Sequence, residues 1–229
     1  MDTSWMRQVI GEASESVARL LSEDTRARPV PSCPGWSLQD LAWHLGTVQQ
    51  FWALNVRERH VLGPRATVDD EVASDVREFA AWCRRATAEL LGAFDEVGES
   101  SPCWTWWGEP ATAGAVARHQ VQEAAVHAWD AANALGVATP LADAAAVDGV
   151  PEFLHVHRSE ITVPPGAGVA LEASDLGRTW HLGGEPTVIV SASASQLVLL
   201  LNGRVPLEDL DVSGDARAAR ATLSSVDLS

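Results

Sequence analysis

The run HQVQEAAVHAWD, residues 119–130, sets His119, Glu123 and His127 at intervals of four in an otherwise Ala- and Val-rich stretch. Side chains four apart on a helix lie one above the other, with Cβ atoms about 5–6 Å apart. Glu123 and His127 therefore point the same way, and a carboxylate and an imidazole so placed can share one divalent cation. Two ligands do not make a site. Zinc generally takes at least three from the protein, and a catalytic zinc keeps a further position open. His119 lies on the same face, but three ligands over two turns span roughly 12 Å at 1.5 Å rise per residue, too far for one ion. His44 is the better third ligand. It sits in SLQDLAWHLGTVQQFW beside Leu41, Leu45 and Val48, which a helical period turns inward. An imidazole among them needs a partner, because an unpaired buried polar group costs about 1–3 kcal/mol. A cation held with Glu123 and His127 would satisfy it. The plainer reading is a hydrogen-bonded core histidine, and spacing alone favours that. His60, His155, His157 and His181 lack such surroundings and read as surface or loop positions.

The elements that must position these residues are helical. Residues 4–22 place Trp5, Val9, Ala13, Val17 and Leu20 at helical spacing. A loop with three prolines, TRARPVPSCPGWS, follows. Ser37 is an N-cap candidate for the next helix, with Asp40 completing a capping box. That helix is expected to end near Leu62-Gly63-Pro64. A third is expected from about Asp70 to Phe94. The aromatic loop SSPCWTWWGEPA separates it from a fourth, which Thr112 can cap and Gly136 can stop. Four such helices describe a four-helix bundle. From about residue 141 the pattern changes to a helix, then strand-length runs (EITVPP, GVALEAS, GRTWHLGG, PTVIVSAS), then helix, strand and helix. The expectation is an α+β chain in two domains, 1–138 and 139–229, the second with a β-meander.

Composition narrows the function class. The net charge of −15 disfavours nucleic acid and anionic membranes as partners. No run approaches the ~18 apolar residues of a membrane span. All basic residues are arginine, so lysine Schiff-base chemistry is excluded. The N-terminus lacks the basic and apolar regions of a signal peptide, and Cys33, Cys83 and Cys103 are odd in number and scattered. Both features point to a cytoplasmic protein without disulfides, its thiols inert packing groups. Monomer and homodimer are both compatible with the sequence.

The segment PSCPGWSLQDLAWHL resembles the P-x-W-[ST]-x-x-D-L-x-x-H-L hallmark of the mycothiol-dependent maleylpyruvate isomerase family, which has a DinB-like bundle. The segment QEAAVHAWDAANALG is similar to that family's E-x-x-x-H-x-W-D-A. AAAVDGVPEFL and LNGRVPLEDLDVSGDA resemble its sterol-carrier-like C-terminal domain. The resemblance covers nearly the whole chain. It implies a metal triad of His44, Glu123 and His127 holding Zn2+ or another divalent ion, and mycothiol as thiol cofactor. It further implies Arg204 as a cationic anchor, catalytic and cofactor-binding, although a surface ion pair of Arg204 with Glu208 or Asp209 fits the sequence as well. Trp36, Trp43 and Trp129 read as packing residues. Asp130 can orient a neighbouring group or cap an arginine. The WTWWG loop can form a wall of the site or an inter-domain seam. The implied activity is isomerisation of a small electrophile, or thiol transfer to it. The alternatives are a non-catalytic metal- and small-ligand-binding protein and a zinc-hydroxide hydrolase of a thiol conjugate.

Overall fold

In the computed structural model, residues 4–59 and 75–226 are described. They form two compact units, residues 1–139 and 140–229. The first carries helices α1 (Ser4–Leu20), α2 (Leu38–Glu58), α3 (Val76–Val97) and α4 (Ala113–Ala134). α2 packs on α3, and α1 on α4. Leu38, Leu41, Leu45, Val17, Phe79 and Cys83 meet in one buried cluster. Three buried polar groups bind three helices together inside this unit. Gln49 of α2 donates to Ser14 Oγ of α1 at 2.7 Å and accepts from Thr87 Oγ1 of α3 at 2.8 Å.

Caps fix where the helices begin. The Ser37–Asp40 capping box at the start of α2 forms in both directions. α2 ends earlier than expected, at Glu58, with Arg59 as a left-handed cap whose N–H bonds Asn55 and Val56. α3 also starts later than expected. Asp75 accepts from the N–H groups of Arg77 and Glu78 and so caps α3 at Val76. His60 and residues 61–74 lie outside the described residues. Thr112 caps α4, and Gly136 follows it at φ +71°, a left-handed turn that suits glycine.

One glycine lets two helices approach. A Cβ on Gly46 of α2 would lie inside the van der Waals envelope of the Trp82 ring on α3. That ring is itself stacked on Phe79 at 5.6 Å, so it has little room to yield. Gly46→Ala is expected to destabilise the protein by about 1–2 kcal/mol, the overpacking cost exceeding the helix-propensity gain. A fall in thermal midpoint checks this.

The second unit holds α5 (Asp143–Val156) and a four-stranded sheet: β1 (Gly168–Ala173), β2 (Arg178–Gly183), β3 (Val188–Ala192) and β4 (Asp211–Gly214). It also holds α6 (Ala194–Leu201) and α7 (Ala216–Leu223). The strand order is β2-β1-β3-β4, with β1 and β3 parallel. This is not a meander. β2 exposes Arg178, Thr179 and His181, while β1 is buried along most of its length. β3, with Val188 and Val190 buried, therefore pairs with β1 and leaves β2 at the edge. EITVPP forms no strand. Pro164 and Pro165 cannot donate to a ladder. Among the described residues no helix is long and apolar enough to cross a membrane. The architecture is α+β.

Candidate functional site

The loop before α2 is a small closed structure. Pro29 and Ser37 bridge its ends, and backbone bonds run from Val30 to Trp36 O, Cys33 to Val30 O and Trp36 to Cys33 O. Gly35 sits at φ +87°, where a side chain would strain the turn. The loop thereby turns Ser32 and Cys33 toward α4 and lays Trp36 beside α2.

Two groups of potential metal-ligating side chains stand out among the described residues, and they share His127. In the first, ligand atoms of His44, Glu123 and His127 lie within 4.8 Å of one another. His44 Nε2 is 3.0 Å from Glu123 Oε1, and His127 Nε2 is 3.4 Å from the same oxygen. Side-chain exposure rises from 9% at His127 through 20% at Glu123 to 33% at His44, so the cluster opens on the His44 side. Trp36 covers it, its ring 4.8 Å from His44 and 6.3 Å from His127.

The second group is Cys33, His127 and Asp130. Asp130 has no exposed surface. It accepts from His127 Nδ1 at 2.9 Å, from Ser32 Oγ at 2.6 Å and from Cys33 Sγ at 3.5 Å. Asp130 therefore takes the orienting role that its sequence context offers. A carboxylate behind the Nδ1 of an imidazole directs Nε2 toward the cation side. Cys33 thus supports the site through Asp130, while Cys83 and Cys103 lie in the interior, where burial pushes their pKa up to about 12 and about 11. None of the three is in a disulfide.

Burial opposes charge on both Glu123 and His127, but their mutual attraction and hydrogen bonds prevail. Glu123 is held well below the ordinary carboxylate value, with His127 and His44 donating to it. His127 is held well above the ordinary imidazole value by Glu123, Asp130 and Cys33. The consequence for the metal-free fold has a definite sign. The His127 contribution is complete below its unfolded value near 6.5 and is lost as pH rises through the raised folded value. The Glu123 contribution is present above its unfolded value near 4.5 and is lost as pH falls through the lowered folded value. The thermal midpoint of metal-free protein is therefore expected to decline as pH rises above about 6.5 toward the raised folded value of His127. His127→Gln should abolish that decline, which scanning calorimetry of the two proteins would read.

A cleft of about 480 Å³ opens beside His44 and Glu123. Trp43, Phe51, Trp52 and Trp106 form its aromatic walls, with His119. The WTWWG loop thus contributes to the wall. His119 stands outside both ligand groups and packs on Trp107 at 4.9 Å and Trp106 at 5.9 Å. Arg204 lies in the second unit, where Nη1 donates to the Asn202 carbonyl at 2.6 Å. Glu208, a partner offered for it by sequence, pairs with Arg220. His155 falls in the last turn of α5, and His157 caps that helix and packs on Phe153 at 4.3 Å.

These features define a class: helical-bundle proteins in which two helices bring two histidines and a glutamate together beside an open cleft. The model of the mycothiol maleylpyruvate isomerase N-terminal domain matches residues 8–132, more than half of the chain. The chain belongs to that family. Two solved structures share its fold. The mycothiol-dependent maleylpyruvate isomerase superposes with a TM-score of 0.69, at 16% identity and with 93% of each chain covered. A histidine-to-alanine mutant of that enzyme gives 0.68 at the same identity and coverage. No curated protein sequence matches this one.

Proposed function

We propose that this protein is a metal-dependent enzyme that activates mycothiol for isomerisation of a small electrophile, or for transfer to it. The observation that carries the reading is the convergence of His44, Glu123 and His127 on one point that opens into a cleft. Two imidazole nitrogens and one carboxylate oxygen are a donor set that suits Zn2+, and the Asp130–His127 contact is the outer-shell support such sites use. His44, Glu123 and His127 would hold the ion. When bound, it lowers the pKa of a thiol so that thiolate is present at neutral pH.

A thiolate so held would supply a nucleophile able to add to a conjugated cis double bond and to leave again, giving the trans isomer with no net change in thiol or proton. The chain's own residues do the rest. The aromatic walls hold the electrophile and exclude water, so that orientation and a dry surrounding lower the barrier. We assign Arg204 the anchoring of one carboxylate, on the family resemblance and the bidentate geometry of guanidinium. The same resemblance assigns residues 1–138 to the DinB-like domain and 139–229 to the sterol-carrier-like one. The reading places the protein in the cytoplasm, where a thiol cofactor stays reduced.

Zinc-loaded protein, mycothiol and a cis-unsaturated keto acid should give trans product with the thiol recovered, or a thioether with the thiol consumed. Release of thiol from an amide conjugate without any thiol dependence would instead make it a hydrolase. Tight metal binding with none of these turnovers would make it a binding protein.

A further inference from the structure

The cleft beside the triad narrows the substrate class, an inference that rests on the proposed function of that site. We infer that it takes an electrophile with a planar, uncharged, aromatic-sized body and at most one carboxylate, in preference to a compact dicarboxylate of the maleylpyruvate type. Charge is the first reason. Glu123 is the one acid in the described lining, that lining holds no arginine, and the chain has no lysine. A divalent ion offset by Glu123 and a bound thiolate leaves no net positive charge there, so Arg204, the proposed anchor, is the cation that remains for one carboxylate group. A second carboxylate would lie among Trp43, Phe51, Trp52 and Trp106, a lining that offers it no cation and makes its desolvation costly.

Shape is the second reason. The volume of about 480 Å³ lies in the range of pockets that enclose a ring-bearing small molecule. The walls are also braced for a flat ligand. Trp52 is buried with its ring 6.0 Å from both Trp104 and Trp107, so that wall is preformed. Trp106, by contrast, leaves 43% of its surface to solvent while its ring meets those of Trp107 and His119 close to perpendicular. A large indole held in place yet uncovered, at the rim of a cleft with aromatic walls, gains most from a ligand that is itself flat and apolar.

Three unreactive probes test this by calorimetric titration of zinc-loaded and metal-free protein: cinnamamide, maleate and phenyltrimethylammonium. Cinnamamide should bind both forms at least about tenfold more tightly than maleate, and Trp106→Ala should weaken cinnamamide by about three- to tenfold, the value of one aromatic contact. Maleate binding should be unchanged by that substitution. Trp106 is a rim residue, and a thermal melt confirms that the variant folds. Maleate binding as tightly as cinnamamide, or Trp106→Ala without effect, overturns the inference. Phenyltrimethylammonium binding more tightly than cinnamamide also overturns it, in favour of a cation cage. Because the titrations contain no thiol and no turnover, failure of the thiol assay leaves them standing, and their failure leaves the thiol assay standing.

Discussion

His127→Ala and His44→Ala are each expected to purify with little zinc, where the wild type holds about one ion per chain. Losing an outer-shell partner typically costs 10–100-fold in metal affinity, so loss of a ligand itself should exceed about 100-fold. Activity should fall in parallel, since two remaining donors cannot fix the ion. The two variants differ in what else they lose. His44 is the most exposed of the three, and its removal leaves the Glu123–His127 contact intact. His127 is the nearly buried member, and without it Asp130 keeps its hydroxyl and thiol donors but loses its charged one. His127→Ala should therefore also destabilise the metal-free protein, by about 3–5 kcal/mol if the two carboxylates stay ionised. His44→Ala should do so far less. Metal analysis and urea denaturation of both variants read the two effects separately. Wild-type zinc content in either would remove the basis of the thiol-activation proposal.

What the sequence makes legible here is local. The i, i+4 spacing of Glu123 and His127 puts them on one face of α4 as soon as that helix forms, and the Ser37–Asp40 box sets the phase of α2 and so of His44. Helix period and caps are properties of neighbouring residues, which is why they read from the chain. The support behind the triad does not read that way. Ser32 and Cys33 meet Asp130 across 98 and 97 residues of sequence, through a loop shape fixed by the Pro29–Ser37 bridge and the backbone bonds around Gly35. The only local clue is that Ser32 and Cys33 sit in a tight Pro/Gly segment immediately before the helix of His44. The sheet shows the same division. The strand segments of β1, β2 and β3 are visible as strand-length runs, β-branched in part and punctuated by Pro and Gly, but the choice of β1 over β2 as partner for β3 depends on which neighbour is buried. The early end of α2 at Arg59 has no glycine or proline to announce it.

Asp130→Asn is expected to lower zinc affinity by about 10–100-fold while leaving all three ligands in place. The substitution keeps shape and removes charge. An asparagine can still accept from His127 Nδ1, but it presents only one carbonyl oxygen where the carboxylate offers two. The two oxygens now divide the work, Oδ1 taking Ser32 and Oδ2 taking His127 and Cys33. The amide cannot serve both sets, so either Ser32 or His127 meets an N–H donor. If His127 meets the amide nitrogen, its tautomer reverses and Nε2 carries the proton that a metal ligand must shed. Ser32→Ala removes only the neutral donor at Oδ1 and should cost about 1 kcal/mol of stability with a smaller change in affinity. The readout that separates orientation from mere packing is the ring-nitrogen NMR spectrum of His127 in zinc-loaded protein. Wild type should show Nδ1 protonated, and Asp130→Asn a shift toward the other tautomer. An Asp130→Asn protein with unchanged zinc affinity and an unchanged spectrum would reduce the Asp130 contact to core packing, and the triad would then owe its orientation to α2 and α4 alone.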